Sequence, residues 1–241
     1  MKIVIVNLDS QSANIQATSV IRGIKKQNIE SDITVVTSEE CVDIYKYNRG
    51  INRVIPYSEF KEQSHYCDLF ILLSSLFPFS CCPRLEVSDA IGFNFCDEVE
   101  KFKYGLWGME NFDMNMFQLY YKLAGLKWKG EGYDIGYYPK TKTKKNRVGI
   151  AVANSNLRSY ILNELKLDSS SVWNLPRKKN IFRKMDEINK CKRIITDDIT
   201  IFHLAISLRK YVHFLKTFPL NFNLELFKSG EIYDVPLSTI A

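Results

Sequence analysis

Short apolar runs, several of them rich in β-branched residues, alternate along this chain with segments of helical periodicity. Ile3–Val6 is the first such run, and Ile33–Val36, Val54–Ile55 and Leu69–Leu73 follow it. Continuous apolar runs of this kind are typical of parallel strands that are covered on both faces. Helical patterns between them, such as Ile15–Ile24, predict βαβ units with right-handed crossovers. The chain is therefore predicted to be an α/β protein.

A second series of strand and helix patterns begins after residues 139–147, a polar and basic stretch without apolar periodicity. We interpret this stretch as a linker. The strands predicted beyond it are Val148–Val152, Arg193–Thr196 and Tyr211–Leu215, and the helices are Phe182–Lys190 and Ile199–Leu208. The sequence therefore predicts two domains, an N-terminal one over residues 1–139 and a shortened C-terminal one over residues 140–241.

The two predicted domains carry net charges of opposite sign. Residues 1–139 contain 14 Lys or Arg and 18 Asp or Glu, a net charge of −4. Residues 140–241 contain 19 Lys or Arg and 9 Asp or Glu, a net charge of +10, so the whole chain carries a net charge of +6. A surplus of cations in one domain attracts phosphates or another polyanion to it.

Cysteine spacing and hydropathy exclude several other classes of protein. The six cysteines form no Cys-x-x-Cys pair and the chain has three histidines, so neither a zinc site nor a secreted disulfide framework is expected. The longest apolar run, Leu69–Cys82, is interrupted by serine and proline and falls short of the roughly 20 residues of a membrane span. Ile3–Val6 is too short for a signal-peptide core. We therefore expect a cytoplasmic protein without a transmembrane segment.

Three stretches of the sequence share the pattern of one known family. The first is the N-terminal strand, loop and helix, residues 1–26, followed by DITVVT at 32–37 and INRVIPY at 51–57. The second is CDLFILLSS at 67–75 followed by AIGFN at 90–94, and the third is CKRIITDDITIFHLAISLRKYVHFL at 191–215. Together they resemble the heptosyltransferase-like glycosyltransferases of glycosyltransferase family 9, whose Asp-x-Gly-x-x-His-x-Ala segment is similar to the third stretch. The resemblance implies a GT-B-like fold, which is α/β with two Rossmann-like domains whose parallel sheets face each other across a cleft.

The third stretch implies a binding site for the donor's diphosphate and sugar. By the resemblance, Asp198 and His203 fall on the family's aspartate and histidine, and Thr200 falls on its glycine, a position that donates backbone hydrogen bonds. A helix N-terminus offers free N–H groups and the positive end of a dipole, so phosphate binding is also expected on physical grounds. The alternative is that Asp198 is an N-cap and that His203 packs inside the protein.

The loop after Val148–Val152 supplies the other predicted donor ligands. Arg158 follows Asn154 and Ser155 there and resembles in role the family's basic phosphate ligand, with a solvated arginine as the alternative. The three residues are predicted to bind a nucleotide diphosphate sugar. The resemblance further implies an inverting transfer that uses no metal and no other cofactor.

The general base is where this sequence departs from the family. The family places Gly-Asp at the end of the first loop, with the aspartate as base, whereas here Ser12-Ala13 is followed by Asn14. An acceptor hydroxyl needs a proton acceptor within hydrogen-bond reach. Asp9, on the same loop, is the first candidate, and Asp97, which follows the Ile-Gly-Phe segment, is the second. Further substitutes are Asp89 and Asp113, and for each candidate the alternative is a solvated surface carboxylate. The residues predicted to form the acceptor loop are Ser10, Gln11 and Ser12.

The identity of the acceptor rests on two competing indications. The resemblance implies a lipopolysaccharide core sugar at the inner membrane surface, in a bacterial cell. The cations of the second domain instead suit a duplex phosphate backbone, and aromatic residues of the first suit a flipped base. We therefore hypothesise a glycosyltransferase that modifies hydroxymethylated bases in double-stranded DNA, as in some bacteriophages. The alternative acceptor is the lipopolysaccharide core, and the alternative role of the lysines is a solvated surface. The predicted nucleic-acid contacts are Lys142, Lys144, Lys145, Arg147, Lys178 and Lys179.

A second hypothesis comes from outside the enzymes. Because the family's Gly-Asp is missing, the chain is also interpretable as a catalytically degenerate module that binds a nucleotide sugar and does not transfer it. The two hypotheses differ in whether nucleotide diphosphate is released. A dinucleotide-dependent oxidoreductase is disfavoured, since no Gly-x-Gly-x-x-Gly follows Ile3–Val6.

Overall fold

Two separate units of structure make up the chain, Met1–Tyr137 and Tyr138–Ala241. They divide two residues before the boundary that the sequence predicts. A computed structural model of the chain describes residues 1–74, 85–91, 119–177, 180–216 and 230–234. Within these ranges each unit is built on a five-stranded sheet in which every pair of neighbouring strands is parallel.

The first unit orders its strands β3-β2-β1-β4-β5. These strands are β1 Lys2–Asn7, β2 Asp32–Thr37, β3 Arg53–Pro56, β4 His65–Leu72 and β5 Leu85–Ile91. The helices are α1 Gln11–Gln27, α2 Val42–Tyr45 and α3 Tyr57–Phe60, with a 3₁₀ turn at Glu39–Cys41 and helical residues at 119–123. Since the strand order reverses between β1 and β4, their carboxyl ends border a topological switch point, where open α/β sheets bind ligands.

Burial explains why β1 and α1 form at the centre of the first unit. Ile3 and Ile5 of β1 are fully buried, and Ile5 lies in register with both Val35 and Ile71 on the neighbouring strands. Helix α1 covers this sheet and is buried along most of its length. It begins after Ser10, whose hydroxyl accepts a hydrogen bond from the backbone N–H of Ala13. The loop between β1 and α1 is thereby fixed at both ends.

The second unit orders its strands β10-β9-β8-β6-β7. These strands are β6 Val148–Ala151, β7 Val172–Asn174, β8 Arg193–Thr196, β9 Tyr211–Lys216 and β10 Gly230–Asp234. The helices are Ser155–Glu164, Ile181–Asn189 and Ile199–Ser207, with a 3₁₀ turn at Ser169–Ser171. The switch point of this sheet lies between β6 and β8.

Residues 141–147, part of the predicted linker, are hydrogen-bonded into the second unit. The Thr141 hydroxyl donates to the backbone oxygen of Asp186 at 2.8 Å, and the backbone N–H of Lys144 donates to Lys190 at 2.9 Å. Each of these bonds joins the stretch to the helix Ile181–Asn189 or to the residue after it. The stretch therefore extends the second unit as an ordered segment.

No helix in the described ranges is both long and apolar enough to cross a membrane. The described cysteines Cys41, Cys67 and Cys191 are buried free thiols, and burial raises the pKa of each to about 11. These thiols are therefore uncharged at neutral pH and pack as small apolar side chains.

Candidate functional site

Asp9 lies at the carboxyl end of β1, on the loop that leads into α1. Its Oδ1 accepts a hydrogen bond from Ser74 Oγ at 3.0 Å, and its Oδ2 accepts one from the Tyr120 hydroxyl at 3.5 Å. Asn7 supports both groups, because its Nδ2 donates to the Tyr120 oxygen at 3.1 Å and its Oδ1 accepts from the Asp9 backbone N–H at 3.1 Å. Ser74 follows β4, so these contacts join β1 and β4 at the switch point.

This arrangement orients a carboxylate that can act as a proton acceptor. A carboxylate has about four acceptor positions on its two oxygens, so hydroxyl donors fix its direction and leave capacity for a substrate hydroxyl. Asp9 is half-buried, and its loop is held at both ends. The base role of Asp9 stays a prediction, and the structure adds Ser74 and Tyr120, which the sequence did not indicate, as the groups that position it.

The predicted acceptor-loop residues differ in their exposure. The Ser10 hydroxyl accepts the hydrogen bond that caps α1 and lies 2.9 Å from the Ser12 hydroxyl. Ser10 is exposed, whereas Ser12 is buried. Gln11 Nε2 donates to the backbone oxygen of Glu40 at 3.5 Å. Ser10 and Gln11 therefore present polar groups at this edge of the sheet, and their contact with an acceptor stays a prediction.

Asn14, next to the position of the family's Gly-Asp, is a buried structural residue. Its Nδ2 donates to the backbone oxygens of Asp9 and Ser10 at 2.8 and 3.0 Å. Its Oδ1 accepts from the Thr37 hydroxyl at 2.9 Å and from the Tyr45 hydroxyl at 2.7 Å. Asn14 thus ties the Asp9 loop to β2 and α2, and its amide has no basic group to offer a substrate.

Several predicted residues lie beyond what the structure describes. Asp97 and Asp113 fall outside the described residues, as do Lys178 and Lys179. Asp89 is in β5, two residues before the end of that strand. Their proposed roles stay predictions, and among the candidate bases it is Asp9 whose surroundings are described.

Two loops meet at the switch point of the second sheet. The backbone N–H of Ala153 donates to Asp197 Oδ2 at 3.0 Å, and the backbone N–H of Asp197 donates to the Ala151 oxygen at 3.3 Å. These bonds bring the start of the helix Ser155–Glu164 beside that of the helix Ile199–Ser207. The predicted donor-binding residues after β6 and after β8 therefore share one edge of the sheet.

Asn154 and Asp198 cap these two helices. Asn154 Oδ1 accepts hydrogen bonds from the backbone N–H groups of Asn156 and Leu157 at 2.8 and 3.1 Å. Asp198 Oδ1 accepts one from the backbone N–H of Ile201 at 3.0 Å. Both side chains thus satisfy amides that a phosphate would otherwise compete for, and donor binding by Asn154 and Asp198 stays a prediction.

Ser155, Thr200 and Arg158 lie in the first turns of the same helices. Ser155 is exposed and is the first residue of its helix, and Thr200 is the second residue of the other. Arg158 is half-buried and is the fourth residue of the first of these helices, at the end of its first turn. First turns carry the positive end of the helix dipole, so these positions suit an anionic ligand.

Arg177 completes this edge of the sheet, and no sequence motif pointed to its role. Its Nη1 lies 3.0 Å from Asp197 Oδ1, and its Nε lies 3.6 Å from Asp198 Oδ2. Lys184 is buried close by. Burial lowers the pKa of its amine, the charge of Asp198 raises this pKa in part, and the charge of Arg177 lowers it further. We call Arg177, Lys184, Asp197 and Asp198 the carboxyl-edge cluster, which offers charges of both signs to a ligand.

His203 is fully buried, as the alternative interpretation of the sequence had it. Its ring packs edge-on against Phe202, with 5.1 Å between ring centroids. Burial lowers the pKa of His203 to about 3, so the imidazole is neutral at pH 7. A neutral ring adds no positive charge for a diphosphate. The contact of His203 with the donor stays a prediction, and any such contact would be made by an uncharged ring.

The described cations of the predicted nucleic-acid contact set lie on the segment before β6. Lys142, Lys144 and Lys145 are exposed. Arg147 is half-buried, with its guanidinium 4.1 Å from the centre of the Trp173 ring. These residues are at the amino edge of the second sheet, away from the carboxyl-edge cluster, and their contact with DNA stays a prediction.

No group of three or more His, Cys, Asp or Glu residues that could hold a metal ion is found among the described residues. Whether the reaction uses a metal ion is a separate matter, and the metal-independent mechanism stays a prediction.

The sequence matches no protein-family model and no curated protein, but solved structures match its fold. Escherichia coli heptosyltransferase WaaC with ADP-2-deoxy-2-fluoro heptose matches with a TM-score of 0.69 at 14% identity, over 98% of this chain and 94% of that chain. E. coli ADP-heptose lps heptosyltransferase II matches with a TM-score of 0.57 at 13% identity, over 98% of this chain and 91% of that chain. A glycosyl transferase family 9 structure from Veillonella parvula matches with a TM-score of 0.55 at 14% identity, over 89% of this chain and 80% of that chain.

These matches confirm the predicted α/β, GT-B-like fold with two Rossmann-like units. The resemblance to heptosyltransferase-like glycosyltransferases, inferred from three short stretches of sequence, is therefore confirmed at the level of the fold. The match to WaaC covers 98% of this chain.

Proposed function

We propose that this chain is a glycosyltransferase that takes its sugar from a nucleotide diphosphate sugar. The observation that carries the proposal is the carboxyl-edge cluster, which lies at a switch point in a fold shared with heptosyltransferases. Ligands of open α/β sheets bind at this place. Two helix N-termini and Arg177 are suited to a diphosphate, and the carboxylates of Asp197 and Asp198 are suited to sugar hydroxyls.

The first donor to test is ADP-heptose. WaaC, similar in fold, was solved with a fluorinated ADP-heptose. In the proposed complex Arg177 and the first turns at Ser155 and Thr200 face the diphosphate. Positive charge fixed at the leaving group stabilises the transition state as negative charge develops there, and it serves in place of a bound cation.

Asp9 is the proposed general base. It accepts the proton of the acceptor hydroxyl as that oxygen bonds to the anomeric carbon, and the bond from this carbon to the diphosphate breaks in the same step. The electron pair leaves with the nucleoside diphosphate, and the configuration at the anomeric carbon inverts. Ser74 and Tyr120 hold the carboxylate in the orientation needed for the transfer.

The proposed acceptor is a sugar of the lipopolysaccharide core. One similar structure is a lipopolysaccharide heptosyltransferase, which favours this acceptor over DNA. The DNA hypothesis rests on exposed lysines such as Lys142 and Lys144, and exposure alone does not distinguish a polyanion site from a solvated face. DNA is therefore the comparison acceptor in the test.

The test measures ADP release from ADP-heptose by the intact chain with a lipopolysaccharide core acceptor, with hydroxymethylated duplex DNA, or with neither. We expect release that depends on the core acceptor and is unchanged by EDTA. Release that depends on DNA would overturn the acceptor, and loss of activity with EDTA would overturn the metal-free mechanism. Donor binding without release would favour the degenerate module, and failure to bind any nucleotide sugar would contradict the proposal.

A further inference from the structure

A pocket of about 440 Å³ opens at the amino edge of the second sheet. Its walls are the first residues of β6, β8 and β9, the segment before β6, and the turn after the helix Ser155–Glu164. The pocket lies at the end of the strands opposite the carboxyl-edge cluster. Since β6 has four residues, the strand alone separates the two edges by about 10 Å. We call this cavity the amino-edge pocket.

Five cationic side chains from three segments of the chain line the amino-edge pocket. They are Lys145, Arg147, Lys166, Lys192 and Arg193. None of the five takes part in the ion pairs found within the described part of the chain. The pocket therefore concentrates positive charge that its lining carboxylate offsets only in part.

Asp168 is the acidic residue in the wall, and its carboxylate is engaged in its own turn. It accepts hydrogen bonds from the backbone N–H of Ser170, at 3.0 Å, and from the Ser170 hydroxyl. These bonds lower the pKa of Asp168, so it is ionised at neutral pH and the pocket retains four net positive charges.

Arg147 is held in place without a ligand. Its guanidinium stacks 4.1 Å from the centre of the Trp173 ring, and Trp173 Nε1 donates to Glu187 Oε2 at 2.8 Å. The Arg147 backbone oxygen accepts from the N–H of Lys192 at 2.9 Å, which fixes the two cationic segments side by side. A planar, stacked guanidinium loses little entropy when it binds a phosphate, since its direction is already set.

The size and shape of the cavity indicate what class of anion it takes. Its volume falls within the roughly 300–1,000 Å³ of small-molecule pockets. A duplex backbone or a membrane presents an extended surface, whereas these cations line a concavity. Tyr211, with 40% of its surface exposed, is an aromatic residue of the wall, and its ring meets that of His213 edge-on with 5.0 Å between centroids. An exposed aromatic side chain of this kind suits a sugar or base ring.

We propose that the amino-edge pocket binds a small phosphorylated molecule, of the size of a sugar phosphate or a nucleotide, at a site separate from the carboxyl-edge cluster. Its phosphate contacts Arg147, Lys192 and Arg193 through charge-assisted hydrogen bonds, and its ring lies against Tyr211. The site does not depend on the proposed glycosyl transfer, because it uses none of the residues assigned to donor or base.

The test is calorimetric titration of the intact chain with inorganic pyrophosphate and with ribose 5-phosphate. All variants carry Arg177→Gln, so that binding at the carboxyl-edge cluster is weakened throughout. Lys192→Gln with Arg193→Gln removes two charges from the pocket, and Lys166→Gln removes one from an exposed turn outside the sheet. The matched control is Lys140→Gln with Lys142→Gln, which removes two exposed charges outside the pocket.

We expect the pocket pair to raise the dissociation constants at least tenfold and Lys166→Gln to raise them severalfold, with less than a twofold change in the control pair. Equal weakening by the pocket and control pairs would overturn the proposal, since it would show general attraction to positive charge. No binding of either probe would also overturn it. Binding of duplex DNA or phosphatidylglycerol vesicles, lost in the pocket pair while neither small probe binds, would replace it with a macromolecular surface.

Discussion

The two switch points of this molecule use carboxylates in different ways. At the end of β1, the hydroxyls of Ser74 and Tyr120 orient Asp9. At the ends of β6 and β8, Arg177 lies against both Asp197 and Asp198. Hydroxyl donors orient a carboxylate without neutralising it, whereas a guanidinium offsets its charge. Similar topology thus suits proton transfer in one unit and the binding of an anion and its sugar in the other.

The contrast between the two switch points depends most on Asp9 acting as the general base. Asp9→Asn keeps the shape of the side chain and removes its ability to take a proton. We expect turnover to fall about 10²–10⁴-fold, the usual contribution of a general base, with little change in donor affinity. The measurement is the rate of acceptor-dependent ADP release together with the dissociation constant of ADP.

The matched control is Asp32→Asn, an exposed carboxylate at the other end of the same sheet. It should leave the rate near that of the wild type. A full rate in Asp9→Asn would remove this residue from the chemistry and direct attention to Asp97.

Arg177 tests the other side of the comparison. Arg177→Gln removes a charged hydrogen-bond donor from the carboxyl-edge cluster. We expect the dissociation constant of ADP to rise about 10- to 100-fold, in line with the loss of one charge-assisted hydrogen bond. Calorimetry on the intact chain checks this, with the exposed Arg183→Gln as the control of equal charge. Equal affinities in the two variants would show that Arg177 does not face the diphosphate.

The burial of His203 predicts an acid-sensitive second unit. Because burial lowers the pKa of His203 from 6.5 to about 3, the unfolded chain binds a proton between these pH values that the folded chain does not. This contribution to stability is complete above the unfolded pKa and is lost as the pH falls. Going from about pH 7.5 to about pH 5 should remove about 2 kcal/mol from the free energy of unfolding.

Urea denaturation at the two pH values, in the wild type and in His203→Leu, isolates this group from the carboxylates. The variant cannot titrate at this position, so its loss of stability should be smaller by that amount. The same pH dependence in both proteins would contradict the lowered pKa of His203 and the burial that causes it.

The helix caps give the smallest expected difference between the two units. Asn154 accepts two amide hydrogen bonds at 2.8 and 3.1 Å, whereas Ser10 accepts one at 3.4 Å. We expect Asn154→Ala to cost about 1 kcal/mol of unfolding free energy and Ser10→Ala about 0.5 kcal/mol. Urea denaturation measures both, and the reverse order would contradict the geometry of the caps.

Much of the fold could be predicted because apolar strands are a local signal. Ile3–Val6 lies within β1, and Arg193–Thr196 coincides with β8. Val172–Asn174 was not predicted, since three residues have no period and become a strand by pairing with β6. The helix Ser155–Glu164 was also missed, although Leu157 and Ile161 provide its buried face.

The site was predictable only where it depends on position along the chain. Asp9 was found because it follows a strand at a loop. Arg177 was not, because it reaches Asp197, twenty residues away, only once β7 has paired beside β6. The spacing of His203 from Asp198 places it within the first turns of a helix, but spacing does not reveal that this side of the helix is buried.

The central claim is that a nucleotide sugar binds at the carboxyl edge of the second sheet. Hydrogen exchange of the intact chain, with and without ADP-heptose, tests it most directly. We predict that the ligand slows exchange in residues 152–158 and 197–201, which surround the carboxyl-edge cluster. Exchange that is unchanged there, or that slows only in residues 145–148 and 166–168 at the amino-edge pocket, would contradict the account.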